Sequence, residues 1–252
     1  MTPFWSTDTI TLYHGDARLI APRLGGCDAV ITDPPYGEIS YGWDRWPEGW
    51  PGWFSADQLW CFTSLRTLLS RAGDFTAAGW QLGQEIVWEK HNGSSAATDR
   101  FRRVHELVVH WYRGRWSGLH HRVPRIPAPE GRSRGGTVSR KNKPEHWHGI
   151  GAGNYVYGDT RMARSVVREK SAQRCAWHPT QKPLGLTRQL VTYSVPAGGL
   201  IVDPFCGSGT TLVAAYLEGR RAIGIERAKT FLRAAVQRLE LAASGSPEAR
   251  PW

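Results

Sequence analysis

The sequence predicts an α/β protein with a mostly parallel sheet, into which a basic region is inserted. Short apolar runs of strand length alternate with segments of helical periodicity over most of the chain, a pattern typical of a parallel sheet covered by helices. Between about residues 113 and 174 this alternation stops, and the chain becomes rich in Arg, Gly and Pro. With 252 residues, the protein is long enough to bury a large core.

The first half of the chain contains most of the predicted strands. The strand candidates are ITLYHGD, CDAVITD, LWCF, QEIVWEK and HELVVHWYR, and SLRTLLSRAGDFTAAGW carries a mostly helical pattern. The segment 41–54, which begins YGWDRWPEGWPGW, is rich in Gly, Pro and Trp and is predicted to be a loop. We expect its tryptophans to form a small aromatic lid or a binding surface.

Regular structure returns after the basic region. LGLTRQLVTYSV is predicted to be a helix, and residues 199–226 are predicted to form a strand, a glycine turn, a helix and a second strand. KTFLRAAVQRLELAA is predicted to be the last helix. We expect the basic region between the two halves to be rich in loops and to become ordered only on a partner.

Charge points to a polyanionic partner. The formal net charge is +10, and residues 90–175 hold 18 Lys and Arg against six Asp and Glu, so this one segment carries the whole excess. A nucleic acid is therefore the favoured partner class.

The four cysteines show no paired spacing, and no apolar run approaches the roughly 18 residues needed to span a bilayer. These features predict a soluble cytoplasmic protein without a membrane partner.

The stretch LIVDPFCGSGTTL has the features of a ligand cradle. A buried strand ends at Asp203, and Gly207 and Gly209 allow the backbone to approach a ligand closely. Thr210 or Thr211 is expected to cap the helix that follows. Acids at the carboxyl ends of parallel strands lie at the crevice where such sheets bind ligands.

Two kinds of phosphate site are excluded by the residues of this turn. A dinucleotide fingerprint needs a third glycine where Leu212 stands, and a P-loop needs a Gly-Lys-Ser/Thr ending that the sequence lacks. Glu226 ends the next strand, where an acid can meet ribose hydroxyls. A nucleoside ligand with little phosphate, such as S-adenosylmethionine (SAM), fits these features. The alternative is that the glycines only allow the helix to pack closely on the sheet.

A second strand ends in an unusual corner, TDPPYG. Asp33 lies at the carboxyl end of the predicted strand, and Pro34 and Pro35 have no backbone N–H to donate, so nearby carbonyl groups stay free to accept. Tyr36 adds a flat face for stacking. This corner suits a planar group with an NH₂, whose hydrogens can be held while the nitrogen lone pair turns toward an electrophile. The alternative is a turn with a solvated Asp33.

TDPPYG, HPTQKP and DPFCGSGTT, which follow one another in this order along the chain, together resemble the β-class SAM-dependent amino-methyltransferases of DNA. The resemblance implies a Rossmann-like, seven-stranded methyltransferase sheet with a circularly permuted motif order and an inserted basic target-recognition region. It divides the chain into a catalytic half (1–112), the inserted region (113–175), a cofactor-binding half (176–243) and a flexible tail (244–252).

The resemblance also implies roles for individual residues. The catalytic motif would be Asp33, Pro34, Pro35 and Tyr36. The cofactor would be bound by Asp16, Asp33, Thr180, Lys182, Asp203, Phe205, Cys206, Gly207, Ser208, Gly209, Thr210 and Glu226. Within this set, Glu226 would hold the ribose, Asp16 would lie near the adenine, and Thr180 and Lys182 would meet the methionine carboxylate. Cys206 is expected to be a small packing residue rather than a nucleophile.

The function implied is methyl transfer from SAM to the N6 amine of adenine in double-stranded DNA, with the target base flipped out. The alternatives are cytosine-N4 methylation and a catalytically inactive DNA-binding protein; an RNA target is disfavoured. A homodimer is expected. No metal is expected, because the spacing of His120, His121, His146, His148, Cys175 and His178 fits no zinc pattern. His105 and Glu106 are expected to be structural or near the DNA rather than catalytic.

Overall fold

The structure is a computed structural model. It describes residues 1–38, 40–91, 98–128, 159–171, 177 and 180–245, together with the backbone of 137–139 and 154–156. The chain divides into two compact units. The first comprises Met1–Arg122 and Ser165–Trp252, and the second comprises Val123–Arg164.

The first unit is built on one mixed sheet with helices on both faces. The strands of the whole chain are β1 (Trp5–Ser6), β2 (Ile10–His14), β3 (Cys27–Thr32), β4 (Ala56–Thr63), β5 (Gln81–Glu89), β6 (His105–Tyr112), β7 (Arg125–Pro127), β8 (Thr137–Ser139), β9 (Asn154–Val156), β10 (Thr160–Met162), β11 (Val166–Arg168), β12 (Leu200–Asp203) and β13 (Arg221–Glu226). The α-helices are α1 (Ala17–Ile20), α2 (Leu65–Ala77), α3 (Leu184–Ser194), α4 (Thr210–Leu217) and α5 (Lys229–Ala243).

The sheet has nine strands in the order β1-β2-β13-β12-β3-β4-β6-β5-β11. Strands β2, β13, β12, β3 and β4 are parallel neighbours, whereas β6 runs antiparallel between β4 and β5. The amino end of β6 therefore lies at the same edge of the sheet as the carboxyl ends of the parallel strands. Seven strands form the body of the sheet, and the short β1 and β11 lie at its edges. The predicted α/β class with a mostly parallel sheet is confirmed.

Residues of β3 show how the sheet is buried on both faces. Ala29 and Ile31 belong to a core cluster formed with α3, α4 and α5. Val30 points to the opposite face and joins a second cluster with α1, α2 and the aromatic segment around Trp50. All three β3 residues are fully buried, which is why this strand reads as a continuous apolar run rather than an alternating one.

The basic region contains more regular structure than the sequence predicts. In the second unit, β7 pairs antiparallel with β10, and β8 pairs antiparallel with β9. Downstream, β11 adds to the main sheet parallel to β5. Strands of three residues are too short to show a periodicity, so the sequence carried no signal for them. The assignment of residues 113–175 to target recognition stays a prediction.

Two other expectations concern membrane-spanning helices and the C-terminal tail. Within the described ranges, none of the helices is long and apolar enough to cross a membrane. The predicted flexible tail begins at residue 244, and the part of it after residue 245 lies outside the described residues.

Gly224 in β13 offers a direct test of the packing beneath the glycine turn. A Cβ at this position would lie 2.8 Å from Leu212 and 2.9 Å from the Cys206 sulfur. We expect Gly224→Ala to lower the free energy of unfolding by about 1–3 kcal/mol, because the added methyl overpacks a closed core. Urea denaturation measures this change.

The matched control is Gly25→Ala, where no atom lies within 4 Å of the added Cβ. We expect the control to stay within about 0.5 kcal/mol of the wild type. Equal stability of the two variants would show that the core around Gly224 is not closed.

Candidate active site

The carboxyl ends of β3 and β12 bring the two sequence motifs together. These strands are parallel neighbours, so the TDPPYG corner and the glycine turn leave the same edge of the sheet. The hydroxyl of Thr32 donates a hydrogen bond of 2.7 Å to the Asp203 carboxylate, and both residues are buried. The two motifs, far apart in sequence, therefore form adjoining walls of one site.

Two hydrogen bonds orient Asp33 and Tyr36 within the TDPPYG corner. The Tyr36 hydroxyl donates to Oδ1 of Asp33 at 2.6 Å. The backbone N–H of Tyr36 donates to Oδ1 of Asp44 at 2.7 Å, and the Asp44 side chain is buried. The corner is thus tied to the following loop through Asp44.

Lys182 lies against the TDPPYG corner. Its Nζ is 2.8 Å from Oδ2 of Asp33 and 3.3 Å from Oε2 of Glu106, and only 8% of its side chain is exposed. Nζ also lies over the rings of Tyr36 and Phe62, at 5.6 and 5.5 Å from their centroids. Burial alone would lower the pKa of Lys182, but the two carboxylates raise it above its ordinary value.

The two acids that share this ammonium have pKa values that are shifted in opposite directions. The pKa of Asp33 is raised, first by burial, while Lys182 opposes the shift. Glu106 is held to a pKa of about 2, because Lys182 and Lys90 together outweigh its burial. The ammonium of Lys90 contacts Oε1 of Glu106. Lys182 was predicted to meet the methionine carboxylate of SAM; that role stays a prediction, and the structure places its ammonium between two acids.

The sequence analysis did not assign Glu106 to the site. It lies at the amino end of β6, and β6 runs antiparallel to its neighbours, so an acid at the start of this strand reaches the same edge as acids at the ends of the others. The signal that could have found it is a charged residue at the start of the buried run LVVHWY.

At the glycine turn, both predicted glycines have the left-handed backbone, with φ of 50° at Gly207 and 77° at Gly209. Oε2 of Glu226 accepts the N–H of Gly207 at 3.1 Å, and its Oε1 accepts the N–H of Ala228 at 2.7 Å. Burial raises the pKa of Glu226, while these backbone donors oppose the shift. Glu226, at the end of the neighbouring strand, therefore stabilises the turn through these two hydrogen bonds.

The predicted cap of the following helix is wrong. α4 begins at Thr210, and the capping position is Gly209, which has no side chain to donate or accept. Thr210 and Thr211 lie inside the first helical turn. The Thr211 hydroxyl donates instead to the carbonyl of Ile31, at 3.4 Å. The left-handed conformation at Gly209 decides the outcome, because it favours glycine at the position where a Thr would cap.

Arg238 of α5 supports the glycine turn from beneath and was missed by the sequence analysis. It is fully buried, and its Nη1 donates to the carbonyl of Ser208 at 2.7 Å and to the hydroxyl of Thr210 at 3.0 Å. Burial lowers the pKa of this guanidinium to about 10. Its Nε and Nη2 have no hydrogen-bond partner in the part of the chain that the structure describes. One arginine in an amphipathic helix gave no signal of this role.

The remaining predicted cofactor residues lie around the same edge. Phe205 packs edge-on against Trp50, with ring centroids 5.8 Å apart. Cys206 is buried, which raises the pKa of its thiol well above the ordinary value; a buried neutral thiol fits packing and not nucleophilic attack. Asp16 caps α1 and pairs with Arg18 at 2.6 Å. Thr180 is half-buried.

The tryptophan-rich loop is mostly part of the core. Trp50 is fully buried, and Trp46 and Trp53 pack against the same cluster. The exposed rings of this loop belong to Tyr41 and Trp43, which stack with centroids 5.6 Å apart and an interplanar angle of 8°. The expected lid or binding surface is therefore limited to these two rings.

Among the residues that the structure describes, no group of three or more His, Cys, Asp or Glu is arranged to hold a metal ion. His146, His148, Cys175 and His178 lie outside the described residues.

Asp203 makes the stability of the site depend on pH. Burial raises the pKa of its carboxyl from 3.8 to about 7 in the folded protein. As pH rises from about 4 to 7, the unfolded chain loses this proton while the folded chain keeps it, so the wild type loses stability. Asn does not titrate and can still accept from Thr32. We expect Asp203→Asn to gain more than about 1 kcal/mol relative to wild type across this window, measured by urea denaturation at each pH.

The control is Asp57→Asn, at an exposed position of β4, which should follow the wild type at every pH. A constant difference between Asp203→Asn and wild type would show that the buried carboxyl is already ionised at pH 4.

Comparison with known proteins agrees with this geometry. The family model described as DNA methylase, for N6 and N4 methyltransferases, matches residues 27–237. The type II methyltransferase M2.DpnII of Streptococcus pneumoniae is 51% identical, over 94% of this chain and 92% of that protein. The DNA adenine methyltransferase YhdJ of Escherichia coli K12 is 24% identical, over 94% of this chain and 85% of that protein.

The crystal structure of the M1.HpyAVI–SAM complex superposes with a TM-score of 0.64 and 24% identity, covering 91% of this chain and all of that chain. At this identity, the likeness shows the shared fold. The family match covers most of the sheet and both motifs of the site. The chain belongs to the N6 and N4 DNA methylase family.

Proposed function

We propose that the protein transfers the methyl group of SAM to the exocyclic N6 of adenine in double-stranded DNA, with the target base flipped out of the helix. The observation that carries this proposal is the hydrogen bond of 2.7 Å from Thr32 to Asp203, which joins the end of the amine-binding strand to the end of the cofactor strand. The relative YhdJ is named a DNA adenine methyltransferase, which favours adenine over cytosine.

The glycine turn fits SAM. The left-handed backbone at Gly207 and Gly209 favours glycine and shapes the turn; at Gly209 the missing Cβ also lets the turn approach Ala235 of α5, which a Cβ would meet at 2.9 Å. The Glu226 carboxylate beside the turn is suited to ribose hydroxyls. The wider set that would hold the cofactor is Asp16, Asp33, Thr180, Lys182, Asp203, Phe205, Cys206, Gly207, Ser208, Gly209, Thr210 and Glu226. When bound, SAM supplies a methyl group on a positively charged sulfur.

The TDPPYG corner would hold the target amine. The Asp33 carboxylate and the Pro34 carbonyl can each accept one amine hydrogen, and the base would lie on Tyr36. With both hydrogens held, the nitrogen lone pair is turned away from the ring and toward the methyl group, so attack needs no covalent intermediate on the protein. The Asp33 oxygens already accept from Tyr36 and Lys182, and each keeps a second acceptor site for an incoming amine.

Base flipping is part of this proposal because only 23% of the Asp33 side chain is exposed. An N6 amine inside a duplex cannot reach a carboxylate at the edge of a sheet, so the base has to be extruded at a cost of a few kcal/mol. Stacking on an aromatic ring offsets about 1–3 kcal/mol of that cost. Tyr36, half-buried at the corner, is the ring that we assign to this stacking.

The basic region would supply the DNA contacts. We assign target recognition to residues 113–175, which include the second compact unit, Val123–Arg164. Most of its arginines would contact phosphates and make DNA affinity fall as salt rises, and a few would read base edges. The exposed rings of Tyr41 and Trp43 offer an apolar surface for DNA or for a second copy of the chain in a homodimer.

The cell compartment that we propose is the cytoplasm. Of the cysteines that the structure describes, Cys27, Cys61 and Cys206 are free thiols, as expected where the environment is reducing.

The first prediction of this proposal concerns Asp33. We expect Asp33→Ala to lower the methylation rate at least about a hundredfold, because the amine loses its charged acceptor, while SAM still binds. Transfer of radiolabelled methyl groups to DNA and calorimetric titration with SAM measure the two effects. Asp57→Ala, at an exposed position of β4, is the control and should keep both. Wild-type turnover in Asp33→Ala would refute the assignment.

The second prediction concerns the product. Hydrolysis of DNA methylated by the purified protein, followed by mass spectrometry, should show N6-methyladenine. N4-methylcytosine as the product would establish the cytosine alternative. Absence of saturable SAM binding in calorimetry would establish the third possibility, a DNA-binding protein without catalysis.

A further inference from the structure

The ion pairs around Lys182 suggest a role for Glu106, and this inference rests on the proposed methyl transfer. One buried ammonium lies between two carboxylates, 2.8 Å from Asp33 and 3.3 Å from Glu106. The two contacts differ in kind. Nζ is within close hydrogen-bond distance of Oδ2 of Asp33, whereas its contact with the buried Oε2 of Glu106 is longer and lacks the geometry of a hydrogen bond. Lys182 therefore favours Asp33 and has Glu106 as a second, weaker acceptor.

Glu106 is held in place independently of Lys182. Its other oxygen, Oε1, contacts the ammonium of Lys90, and Lys90 also lies over the ring of Trp88, at 4.8 Å from its centroid. Its backbone is held in β6, where it lies opposite Trp88 of β5. Oε2 is buried, and its ion pair with Lys182 is long, at 3.3 Å, so a closer approach of the ammonium would strengthen this contact.

Asp33 already accepts from two strong donors. The Tyr36 hydroxyl donates to Oδ1 at 2.6 Å, and the Lys182 ammonium lies 2.8 Å from Oδ2. Each oxygen keeps a second acceptor site, but a substrate amine has to share the acid with these donors. If Lys182 moved away from Asp33 and Glu106 were absent, an unpaired ammonium would remain buried, which is strongly unfavourable. Oε2 of Glu106 lies within a short movement of Nζ and can accept it.

We propose that Glu106 is a positioning residue that takes over the ammonium of Lys182 when Asp33 accepts the target amine. The transfer exchanges one hydrogen bond for another inside the site and leaves its net charge unchanged. Glu106 does not touch the reacting atoms; it acts through Lys182. The competing interpretation is that Glu106 only stabilises the fold by anchoring Lys90 and Lys182.

The test is Glu106→Gln, which keeps the size of the side chain and removes its charge. We expect the single-turnover methylation rate at saturating SAM and DNA to fall about ten- to a hundredfold, because a neutral amide is a weaker acceptor for the ammonium. The dissociation constants for SAM and DNA should change less than about twofold. A rate within twofold of wild type would overturn the proposal. So would a loss of SAM affinity as large as the loss of rate, which is what a purely structural role predicts.

The matched control is Glu85→Gln, the same substitution at an exposed position of the neighbouring strand β5. Its rate and both dissociation constants should equal those of wild type. A loss of rate in the control as large as that in Glu106→Gln would overturn the proposal, because the effect would then follow from lost charge in general.

A double-mutant cycle with Lys182→Gln tests whether Glu106 acts through Lys182. In the Lys182→Gln background, Glu106→Gln should cause no further loss of rate, because no ammonium is left to transfer. Equal losses in both backgrounds would overturn the proposal. If Lys182→Gln does not fold, the rate and affinities of Glu106→Gln alone decide the question.

Wild-type protein in the same assays separates this inference from the function on which it rests. If the wild type transfers no methyl group, the proposed function has failed. If the wild type is active and Glu106→Gln is equally active, the methyltransferase assignment stands and only the role of Glu106 is refuted.

Discussion

The parallel pairing of β3 with β12 is the constraint on which the site depends. It brings the carboxyl ends of two strands together, although Thr32 and Asp203 are 171 positions apart in sequence, and the hydrogen bond between them closes the contact. Both strands are buried on two faces, so neither can shift by one residue without moving its apolar side chains out of their clusters. The spacing between the TDPPYG corner and the glycine turn is thereby set by the core, and not by the loops that carry the side chains.

The charges at this edge are stable because they come in compensating sets. Asp33 and Glu106 would each be costly to bury alone, and so would Lys182. Together with Lys90 they make two negative and two positive groups, and the short contacts among them keep Glu106 ionised despite its burial. The Asp33 carboxylate that we propose as the amine acceptor is therefore held beside compensating charges at a mostly buried position.

The sequence predicted features that depend on a local pattern of residues. It did not predict features that depend on contacts between distant elements. Asp33 and Asp203 could be placed from the sequence, because an acid that follows a buried parallel strand has only one edge to occupy. Glu106 could not be placed by this argument, because its position depends on β6 running antiparallel within a parallel sheet. Arg238 is a similar case: its contacts with the glycine turn span about 30 residues and leave no trace in the periodicity of α5. The burial of Trp50 likewise depends on packing across elements, which a loop composition does not encode.

The two halves of the site are held in physically different ways, and this difference suits the proposed reaction. The glycine turn is fixed by backbone donors to Glu226 and by the buried guanidinium of Arg238, contacts that a ligand has no need to displace. Asp33 is held by the Tyr36 hydroxyl and the Lys182 ammonium, both on side chains that can move away. In the proposed reaction, the contacts of the glycine turn would fix the direction from which the methyl group arrives. Asp33 would share its oxygens with a substrate amine while its side-chain partners shift, so the proposed site would be fixed where the methyl group is aimed and adjustable where the amine binds.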